Sequence, residues 1–414
     1  MEYNIEEIKR KLKKYGQEHL LNFYDKLDEK KQEALLEQIE RIDFELINSL
    51  YNKTKDGIKQ DDADVEPIDF IDKYKLNDKY KYYEEIGKKA IKAGKLAAVT
   101  MAGGQGTRLG HIGPKGTFDI GLDSHKSLFE LLCDYLKEES KKYGVDIPWF
   151  IMTSRENNHD TVEFFKKNKY FGYEKNIYFF IQGQLPMIDT EGKILIGEDG
   201  LIKEAADGHG GVYESLVKSG MVNKMKELGV EWVFIGGVDN CLVKMVDPVL
   251  MGIAIDKKVT AAGKSVVKAN PHEKVGAFCK KNGRPSVVEY SEITDEMAEA
   301  RDENGELLYG ESHILCNLFN ISAIERMGSQ PLPYHSAFKK ATYIDKDGNK
   351  VVPDSPNAFK FEAFLFDAFG EVDDMAILRV KREEEFAPVK NADSAGVDCP
   401  STARELYNNF YKKN

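Results

Sequence analysis

A glycine-rich run beside two cationic side chains is the segment of this sequence best suited to chemistry. Three glycines within four positions occur in Met101-Ala-Gly-Gly-Gln-Gly-Thr-Arg-Leu-Gly110, and Pro114-Lys115-Gly116 follows. Backbone N–H groups of such a turn can surround phosphate oxygens, because no side chain blocks their approach. Arg108 adds a bidentate phosphate donor and Lys115 a compact cation. The segment therefore predicts a polyphosphate-binding loop.

Two common phosphate-binding motifs do not fit this loop. A dinucleotide fingerprint needs glycine or alanine at the sixth position counted from Gly104, where this chain has Leu109. A P-loop needs a glycine before its lysine and a serine or threonine after it, whereas Lys115 lies between Pro114 and Gly116. A glycine-rich turn with incidental charges is the alternative interpretation.

The composition is that of an ordinary globular protein. The chain has 414 residues, of which 42% are hydrophobic and 31% are charged, and its formal net charge is −11. At roughly 100–200 residues per domain, this length predicts two or three domains. The two signs of charge are interspersed along most of the chain, which argues against a nucleic-acid partner because such binders carry a basic face.

The cysteines and the apolar runs bear on the compartment. Five cysteines are scattered along the chain without a Cys-x-x-Cys pair, and the amino terminus lacks a signal-peptide pattern. We therefore expect reduced thiols in a cytoplasmic protein. No apolar run approaches the roughly 20 residues that span a bilayer, so no membrane partner is expected.

Alternating strands and helices must position the glycine-rich loop. Apolar runs at 96–101, 148–153 and 231–236 predict strands, and amphipathic stretches at 127–143 and 211–228 predict the helices between them. This order predicts an α/β fold with a Rossmann-like, doubly wound sheet. Ligands of such sheets bind beyond the carboxyl ends of the strands, which places the site in the loops after residues 101, 181 and 237.

Three consecutive segments are expected along the chain. Residues 1–92 predict a helical region without visible chemistry, since apolar residues recur there at helical spacing. Residues 93–330 predict the central domain, with a hairpin turning at Asn282-Gly283. Residues 331–414 predict a small α+β unit with a helix near 359–369, a strand near 375–380 and a helix from Ser401.

Six ordered motifs between about residues 95 and 405 resemble the UDP-sugar pyrophosphorylases, and most closely the branch specific for UDP-N-acetylglucosamine. The first is the glycine-rich loop with its Pro-Lys-Gly. The others are Gln182-Gly-Gln-Leu-Pro186, Asp207-Gly-His-Gly-Gly-Val-Tyr213, Val238-Asp-Asn240 with Asp247-Pro248, Val288-Glu-Tyr-Ser-Glu292 and Phe386-Ala-Pro-Val-Lys-Asn-Ala-Asp393. The resemblance implies a nucleotidyltransferase core and a uridylyltransferase that makes a UDP-sugar and pyrophosphate from UTP and a sugar 1-phosphate.

The resemblance also implies roles for individual residues. Charge neutralisation at the reacting phosphates would fall to Arg108, Lys115 and Lys390. Nucleotide contacts would come from Gly103, Gly104, Gly106, Thr107, Gln182, Gly208, Asp239 and Lys340. An amide suits the donor and acceptor edge of uracil. Asp239, at a predicted strand end, is expected to bind either the cofactor Mg²⁺ or the ribose. Magnesium is favoured, because hard oxygen ligands and phosphates are its usual partners. A helix cap before Asn240 is the alternative for Asp239.

Two further expectations concern lysines near the carboxyl terminus. Lys390 would reach the sugar phosphate, which requires its segment to close over the site and exclude water. The stretch Tyr334-His-Ser-Ala-Phe-Lys-Lys340 resembles a family segment that brings one lysine to phosphate, either Lys339 or Lys340.

The sugar side implied by the resemblance comprises His209, Glu289, Tyr290 and His313. Both histidines stand where the N-acetylglucosamine branch has asparagine, and His209 resembles the glucose branch. The expected acceptor is N-acetylglucosamine 1-phosphate, with glucose or galactose 1-phosphate as the alternative. A sugar-nucleotide sensor without catalysis is the rival from another class, and cations on both the leaving group and the acceptor argue against it. The histidines predict a pocket of reduced selectivity.

Overall fold

The computed structural model describes residues 3–55, 63–331 and 333–413, which fall into two compact units. Unit 1 comprises the described parts of Met1–Asp62, Gly183–Gly210 and Leu332–Phe364. Unit 2 comprises the described parts of Ala63–Gln182, Gly211–Pro331 and Leu365–Asn414. The three consecutive segments expected from the sequence differ from this division, because the chain crosses between the units five times and hydrogen bonds between distant segments are not visible in the sequence.

The described residues form α-helices that alternate with strands over much of the chain. The helices are α1 (Ile5–Lys14), α2 (Glu29–Arg41), α3 (Phe44–Lys55), α4 (Asp78–Lys92), α5 (Leu128–Tyr143), α6 (Asn158–Lys167), α7 (Val212–Lys218), α8 (Met221–Glu227), α9 (Pro248–Asp256), α10 (Asp295–Glu299), α11 (Ile321–Gly328), α12 (Arg382–Glu385) and α13 (Pro400–Lys413). Side-chain caps begin several of them: the Ser127 hydroxyl accepts from Glu130 N–H, and the Asp247 carboxylate accepts from the first turn of α9.

The described strands are between two and ten residues long, and the longest belong to unit 2. They are β1 (Val65–Pro67), β2 (Ile71–Asp72), β3 (Leu96–Met101), β4 (Trp149–Thr153), β5 (Ile177–Ile181), β6 (Gln184–Pro186), β7 (Ile188–Asp189), β8 (Glu204–Ala206), β9 (Trp232–Gly237), β10 (Ala261–Val267), β11 (Ala277–Lys281), β12 (Arg284–Val288), β13 (Glu311–Asn320), β14 (His335–Lys339), β15 (Tyr343–Ile344), β16 (Lys350–Val351), β17 (Ala358–Glu362) and β18 (Ala376–Arg379).

Unit 2 is built on a mixed sheet in the order β2-β18-β10-β13-β9-β3-β4-β5, to which β1, β11 and β12 are attached. β13 is antiparallel to both β9 and β10, whereas β3 is parallel to β4 and β9, and β10 is parallel to β18. The carboxyl ends of β3, β4, β9, β10 and β18 therefore meet at one edge. The doubly wound α/β sheet expected from the sequence is confirmed.

The central strands do not alternate between polar and apolar residues, because the residues on both of their faces are buried. All six residues of β3 and all five of β4 are buried, because α4, α5 and α9 contribute to the apolar core around the sheet. The hairpin at 277–288 is also confirmed: β11 and β12 pair as neighbours, and Asn282 and Gly283 both have positive φ, 51° and 75°.

Unit 1 has its own apolar core. Buried residues of α1, α2 and α3, among them Ile8, Leu35 and Ile47, pack with Ile188 and Phe361. Its three-stranded sheet has the order β14-β17-β7, and two-stranded pairs form between β6 and β8 and between β15 and β16. The helices expected for the amino-terminal region are therefore present.

Two sequence expectations about individual elements are wrong. A helix was expected near 359–369, but β17 covers its first residues and a 3₁₀ helix follows at Leu365–Glu371. The alternation Phe359-Lys-Phe-Glu362 has a period of two and pairs with β14 and β7. The single helix expected at 211–228 is two helices, because Gly220 has a φ of 77° between α7 and α8. No described helix is both long and apolar enough to cross a membrane.

Candidate active site

The glycine-rich loop after β3 is folded back on the Pro-Lys-Gly segment. Gly106 N–H donates to the Gly113 carbonyl at 2.9 Å, and Lys115 N–H donates to the Gly104 carbonyl at 3.1 Å. Gln105 and Pro114 form a bridge between these two hydrogen bonds. The loop thereby brings Lys115 back to the glycines at the carboxyl edge of the sheet, which the sequence motif alone did not reveal.

Gly103 and Gly104 are suited to glycine for different physical reasons. A Cβ on Gly103 would lie 2.0 Å from Gln182 Oε1, so glycine is needed for the glutamine amide to lie against the loop. A Cβ on Gly104 would have no described atom within 4 Å, so packing does not require glycine there. An exposed backbone without a side chain suits the approach of a ligand. The structure thus brings Gln182, at the end of β5, to the glycine-rich loop.

Asn157 is a loop-supporting residue that sequence reasoning missed. It is fully buried, and its Nδ2 donates to the Ala102 carbonyl at 2.9 Å and to the Gly104 carbonyl at 3.3 Å. Its Oδ1 accepts from Ser154 N–H at 2.8 Å. Asn157 therefore ties the loop after β4 to the loop after β3. Asn157 precedes α6 but makes no side-chain cap hydrogen bond there, and no motif in the sequence indicates its contact with the other loop.

Lys115 and Asp239 form the charged centre of this edge. Lys115 Nζ lies 3.1 Å from Asp239 Oδ2, and the two side chains are 17% and 26% exposed. Burial alone would raise the pKa of the Asp239 carboxyl, but the Lys115 and Lys390 ammonium groups hold that pKa below its usual value. Asp239 is therefore ionised at neutral pH. It lies two residues after the end of β9, close to the strand end at which the sequence predicts it.

Lys390 belongs to the same unit as the glycine-rich loop. Val389 N–H donates to the Asp239 carbonyl at 2.8 Å, which places Lys390 next in the chain beside this carboxylate. Its ammonium is 3.7 Å from Asp398 Oδ2, and its side chain is about two-fifths exposed. The expected closure of a separate carboxyl-terminal unit is not needed for Lys390 to approach Asp239.

Thr107 and Arg108 lie on an exposed 3₁₀ turn at Thr107–Leu109 within the glycine-rich loop. No hydrogen bond or ion pair joins the Arg108 guanidinium to any residue that the structure describes. This side chain is therefore available to an anion, and its five donors match phosphate oxygens.

The expected sugar-side residues of unit 2 converge on Gly276. A Cβ on Gly276 would lie 3.1 Å from Glu289 Oε1, and the Gly276 carbonyl accepts from His313 N–H at 2.8 Å. Tyr290 follows Glu289 and is half exposed. Glu289 and His313, which are 24 positions apart in the sequence, are thus neighbours through Gly276.

The His313 imidazole is packed more deeply than a pocket-lining group. It is 8% exposed and meets the rings of Phe278, Phe366 and Phe369 edge to face, at centroid distances of 4.9, 5.8 and 5.7 Å. Its Nε2 is 3.2 Å from Asn317 Oδ1. Most of this ring therefore fills the interior, and only its small exposed part faces outward.

The remaining expected residues lie in unit 1. Gly208 has a φ of 87°, and a Cβ there would lie 2.3 Å from the Ala363 carbonyl, so the turn itself requires glycine. The His209 ring lies 5.6 Å from that of Phe364. Lys339 ends β14, and both Lys339 and Lys340 are exposed, so their surroundings do not distinguish them.

The fit of a magnesium ion depends on Asp239. No cluster of three or more His, Cys, Asp or Glu side chains that could hold a metal occurs in the part of the chain that the structure describes. Magnesium is usually bound through one or two carboxylates together with substrate phosphates, so one ionised, partly exposed carboxylate beside the glycine-rich loop fits it. The ion would compete with Lys115 for this carboxylate.

Comparisons of this chain with family models, curated proteins and solved structures identify the same family of proteins. A family model described as UTP-glucose-1-phosphate uridylyltransferase matches residues 44–402. The chain is 38% identical to UDP-N-acetylglucosamine diphosphorylase 2 of Arabidopsis thaliana, over 96% of this chain and 82% of that protein. It is 35% identical to UDP-N-acetylhexosamine pyrophosphorylase-like protein 1 of Xenopus tropicalis, over 97% and 83%. The uridine diphosphate N-acetylglucosamine pyrophosphorylase of Trypanosoma brucei, solved with an inhibitor, matches with a TM-score of 0.83 at 33% identity, over 96% and 83%.

Proposed function

Because the chain belongs to the UTP-glucose-1-phosphate uridylyltransferase family, we propose that it transfers the uridylyl group of UTP to N-acetylglucosamine 1-phosphate. A phosphate oxygen of the sugar 1-phosphate attacks the α-phosphorus of UTP. The bond from that phosphorus to the oxygen bridging it to the β-phosphorus breaks, and pyrophosphate leaves. The products are UDP-N-acetylglucosamine and pyrophosphate.

The single observation that carries the proposal is the triad of charges at the carboxyl edge of unit 2. Lys115 pairs with the Asp239 carboxylate at 3.1 Å beside the glycine-rich loop, and the Lys390 ammonium is near enough to help lower the pKa of that carboxyl. Two anionic substrates repel each other, so the protein must hold them in line and neutralise the charge that develops as pyrophosphate departs. No protein nucleophile is needed for this reaction.

Each group then has a role in binding or orientation. The loop amides and Arg108 hold the UTP phosphates, and Lys115 neutralises the departing pyrophosphate. The Gln182 amide, held against Gly103, faces the uracil edge. Lys390 binds the acceptor phosphate, and Glu289 accepts hydrogen bonds from sugar hydroxyls. Magnesium held by Asp239 and the phosphates would add a further positive charge where negative charge develops.

The identity of the sugar rests on the relatives named for N-acetylglucosamine or N-acetylhexosamine at 34–38% identity. His209 keeps glucose 1-phosphate as the second candidate, because this residue resembles the glucose branch. The five cysteines are all buried and unpaired, which suits a reducing compartment, and a cytoplasmic location is part of the proposal.

Pyrophosphate release from UTP and Mg²⁺ tests the proposal when it is measured with N-acetylglucosamine, glucose and galactose 1-phosphates. We expect the highest kcat/KM with N-acetylglucosamine 1-phosphate. Because His209 stands where the N-acetylglucosamine branch has asparagine, we expect kcat/KM for the other two sugar phosphates to lie within about 100-fold of that value. A higher kcat/KM with glucose 1-phosphate would reassign the acceptor. Binding of UTP without turnover of any of the three would favour a sensor.

A further inference from the structure

We propose that Asn240 is a positioning residue that fixes Lys390 against Asp239 before substrates bind, a role that rests on the proposed uridylyl transfer. Asn240 is 4% exposed, and its side chain makes three hydrogen bonds to backbone groups. Its Oδ1 accepts from Ala387 N–H at 2.9 Å and from Leu242 N–H at 3.1 Å. Its Nδ2 donates to the Glu385 carbonyl at 2.7 Å.

These bonds join two segments that are more than 140 positions apart in the sequence. The Asn240 side chain reaches both Glu385 and Ala387, and the backbones pair on either side of it. Cys241 N–H donates to the Ala387 carbonyl at 3.2 Å, and Val389 N–H donates to the Asp239 carbonyl at 2.8 Å. Asn240 therefore lies opposite Pro388 in a non-hydrogen-bonded antiparallel pair, where the missing N–H of proline costs nothing.

A buried group of four charges anchors the beginning of the same segment. The Glu385 carboxylate is paired with Lys264 and with Lys73, the latter at 3.1 Å, and its side chain is 4% exposed. Asp247 pairs with the same two lysines, at 2.8 Å to Lys264 and 3.0 Å to Lys73. Lys264 lies on β10 and Asp247 caps α9, so Glu385 is attached to the central sheet.

The far end of the segment is also fixed. Lys390 N–H donates to the Asp398 carbonyl at 2.6 Å, and its ammonium lies over the Phe386 ring at 5.5 Å. The backbone that carries Lys390 is thus held at Glu385, at residues 387–389 and at Asp398. Asn240 follows Asp239 directly in the chain, and its side chain bonds the backbone of the segment that carries Lys390. Asn240 therefore couples the position of Lys390 to that of Asp239.

A double-mutant cycle separates positioning from a general loss of stability. The four proteins are wild type, Asn240→Ala, Lys390→Ala and the double variant, and kcat/KM is measured for the sugar 1-phosphate at saturating UTP. We expect Asn240→Ala to lower kcat/KM by about 10²-fold, because a displacement near 1 Å has that effect on a positioned group. In the Lys390→Ala background the same substitution should cost less than about 3-fold. Multiplicative losses would overturn the proposal.

Ser140→Ala provides the stability control. The buried Ser140 hydroxyl bonds Tyr173 and Ile147 N–H in the same unit, away from the charged centre. It should lower the melting temperature about as much as Asn240→Ala while leaving kcat/KM within 2-fold. An equal loss of kcat/KM in both variants would show that Asn240 acts only through stability.

Hydrogen exchange tests the same contact without turnover. Asn240→Ala should speed exchange of the amides at 387 and 389, while exchange within α5 stays at the wild-type rate. Unchanged exchange at 387 and 389 would overturn the proposal. A wild-type protein inactive with every sugar 1-phosphate would instead refute the proposed function, and the exchange measurement would still decide whether Asn240 holds this segment.

Discussion

Replacing Lys115 by alanine should separate the chemical role of this lysine from its contribution to folding. At 3.1 Å and an effective dielectric constant of about 20, the Coulomb energy between Lys115 and Asp239 is about 5 kcal/mol before desolvation. Desolvation offsets much of this attraction, and Lys390 still faces the carboxylate in the variant. We therefore expect a loss of only about 1–2 kcal/mol in the free energy of unfolding.

The expected loss of activity is much larger. Removing one preorganised charge from the site of a developing anion costs about 3–4 kcal/mol, so kcat should fall by about 10²-fold to 10³-fold. Steady-state release of pyrophosphate and thermal unfolding, measured on the same preparations, give the two quantities. Retention of more than about half of the wild-type kcat would refute the role assigned to Lys115.

Lys126→Ala is the matched control for this substitution. Lys126 Nζ pairs with Asp134 Oδ2 at 2.6 Å in the same unit, and the two carboxylates are similarly exposed, although Lys126 is more exposed than Lys115. Among the described residues, no hydrogen bond or ion pair joins the Lys126 side chain to the glycine-rich loop. Its kcat should stay within 2-fold of wild type. If both lysine variants lost activity equally, a general effect of removing ion pairs would explain the result.

The pH profile adds an independent readout. The ammonium groups of Lys115 and Lys390 lower the pKa of Asp239 in the folded protein. The stabilisation that they give the ionised carboxylate is fully present above the ordinary aspartate pKa, and it is lost as the pH falls through the lower pKa of the folded protein. Removing Lys115 raises this pKa toward the ordinary value. The acid limb of kcat/KM should therefore move to higher pH in Lys115→Ala, and an unchanged acid limb would contradict the coupling.

Four further predictions follow from the site. Asp239→Asn should raise the Mg²⁺ concentration for half-maximal activity by at least about 10-fold, and an unchanged titration would leave Asp239 a structural role. Lys390→Ala should lower kcat/KM for the sugar 1-phosphate by about 10²-fold while calorimetry shows UTP affinity within 3-fold of wild type, and a collapse of UTP affinity would place Lys390 at the nucleotide. Gly103→Ala should raise KM for UTP by about 10-fold or more without lowering the melting temperature, because the new methyl group displaces only the Gln182 amide beside it. Gly104→Ala is the comparison variant: its methyl group meets no described atom in the free protein, so any change in KM reports contact with the ligand alone. His313→Asn should lower the melting temperature, since the ring fills space among three phenylalanines, and a changed acceptor preference at unchanged stability would instead return His313 to the pocket surface.

The sequence predicts the fold where local pattern and burial agree. The apolar runs ending at Met101, Thr153 and Gly236 correspond to β3, β4 and β9, which are buried neighbours in the sheet. Asn282-Gly283 forms the expected two-residue turn. Prediction failed near Phe359, where a helix was expected and β17 is found. Pairing of that segment with β14 and β7 is a contact between distant parts of the chain, and periodicity does not report it.

In the candidate site, too, the sequence predicts some features and does not report contacts between distant segments. Lys115 and Asp239 stand out in the sequence by type and by position after predicted strands, and the structure pairs them. The supporting amide of Asn157 has no comparable signal, because its partners are backbone carbonyls of another loop. Likewise, nothing in the sequence indicates that the His313 ring lies among phenylalanines that come from two other segments, β11 and the 3₁₀ helix at Leu365–Glu371.

Following the α-phosphorus of UTP tests the central claim most directly. The protein is incubated with Mg²⁺, N-acetylglucosamine 1-phosphate and UTP labelled either at the α-phosphorus or at the γ-phosphorus. Uridylyl transfer predicts that the α-label appears in UDP-N-acetylglucosamine and the γ-label in pyrophosphate, in equal amounts, and that Lys115→Ala slows both equally. Release of the γ-label as inorganic phosphate, or an α-label that stays in UTP, would contradict the account.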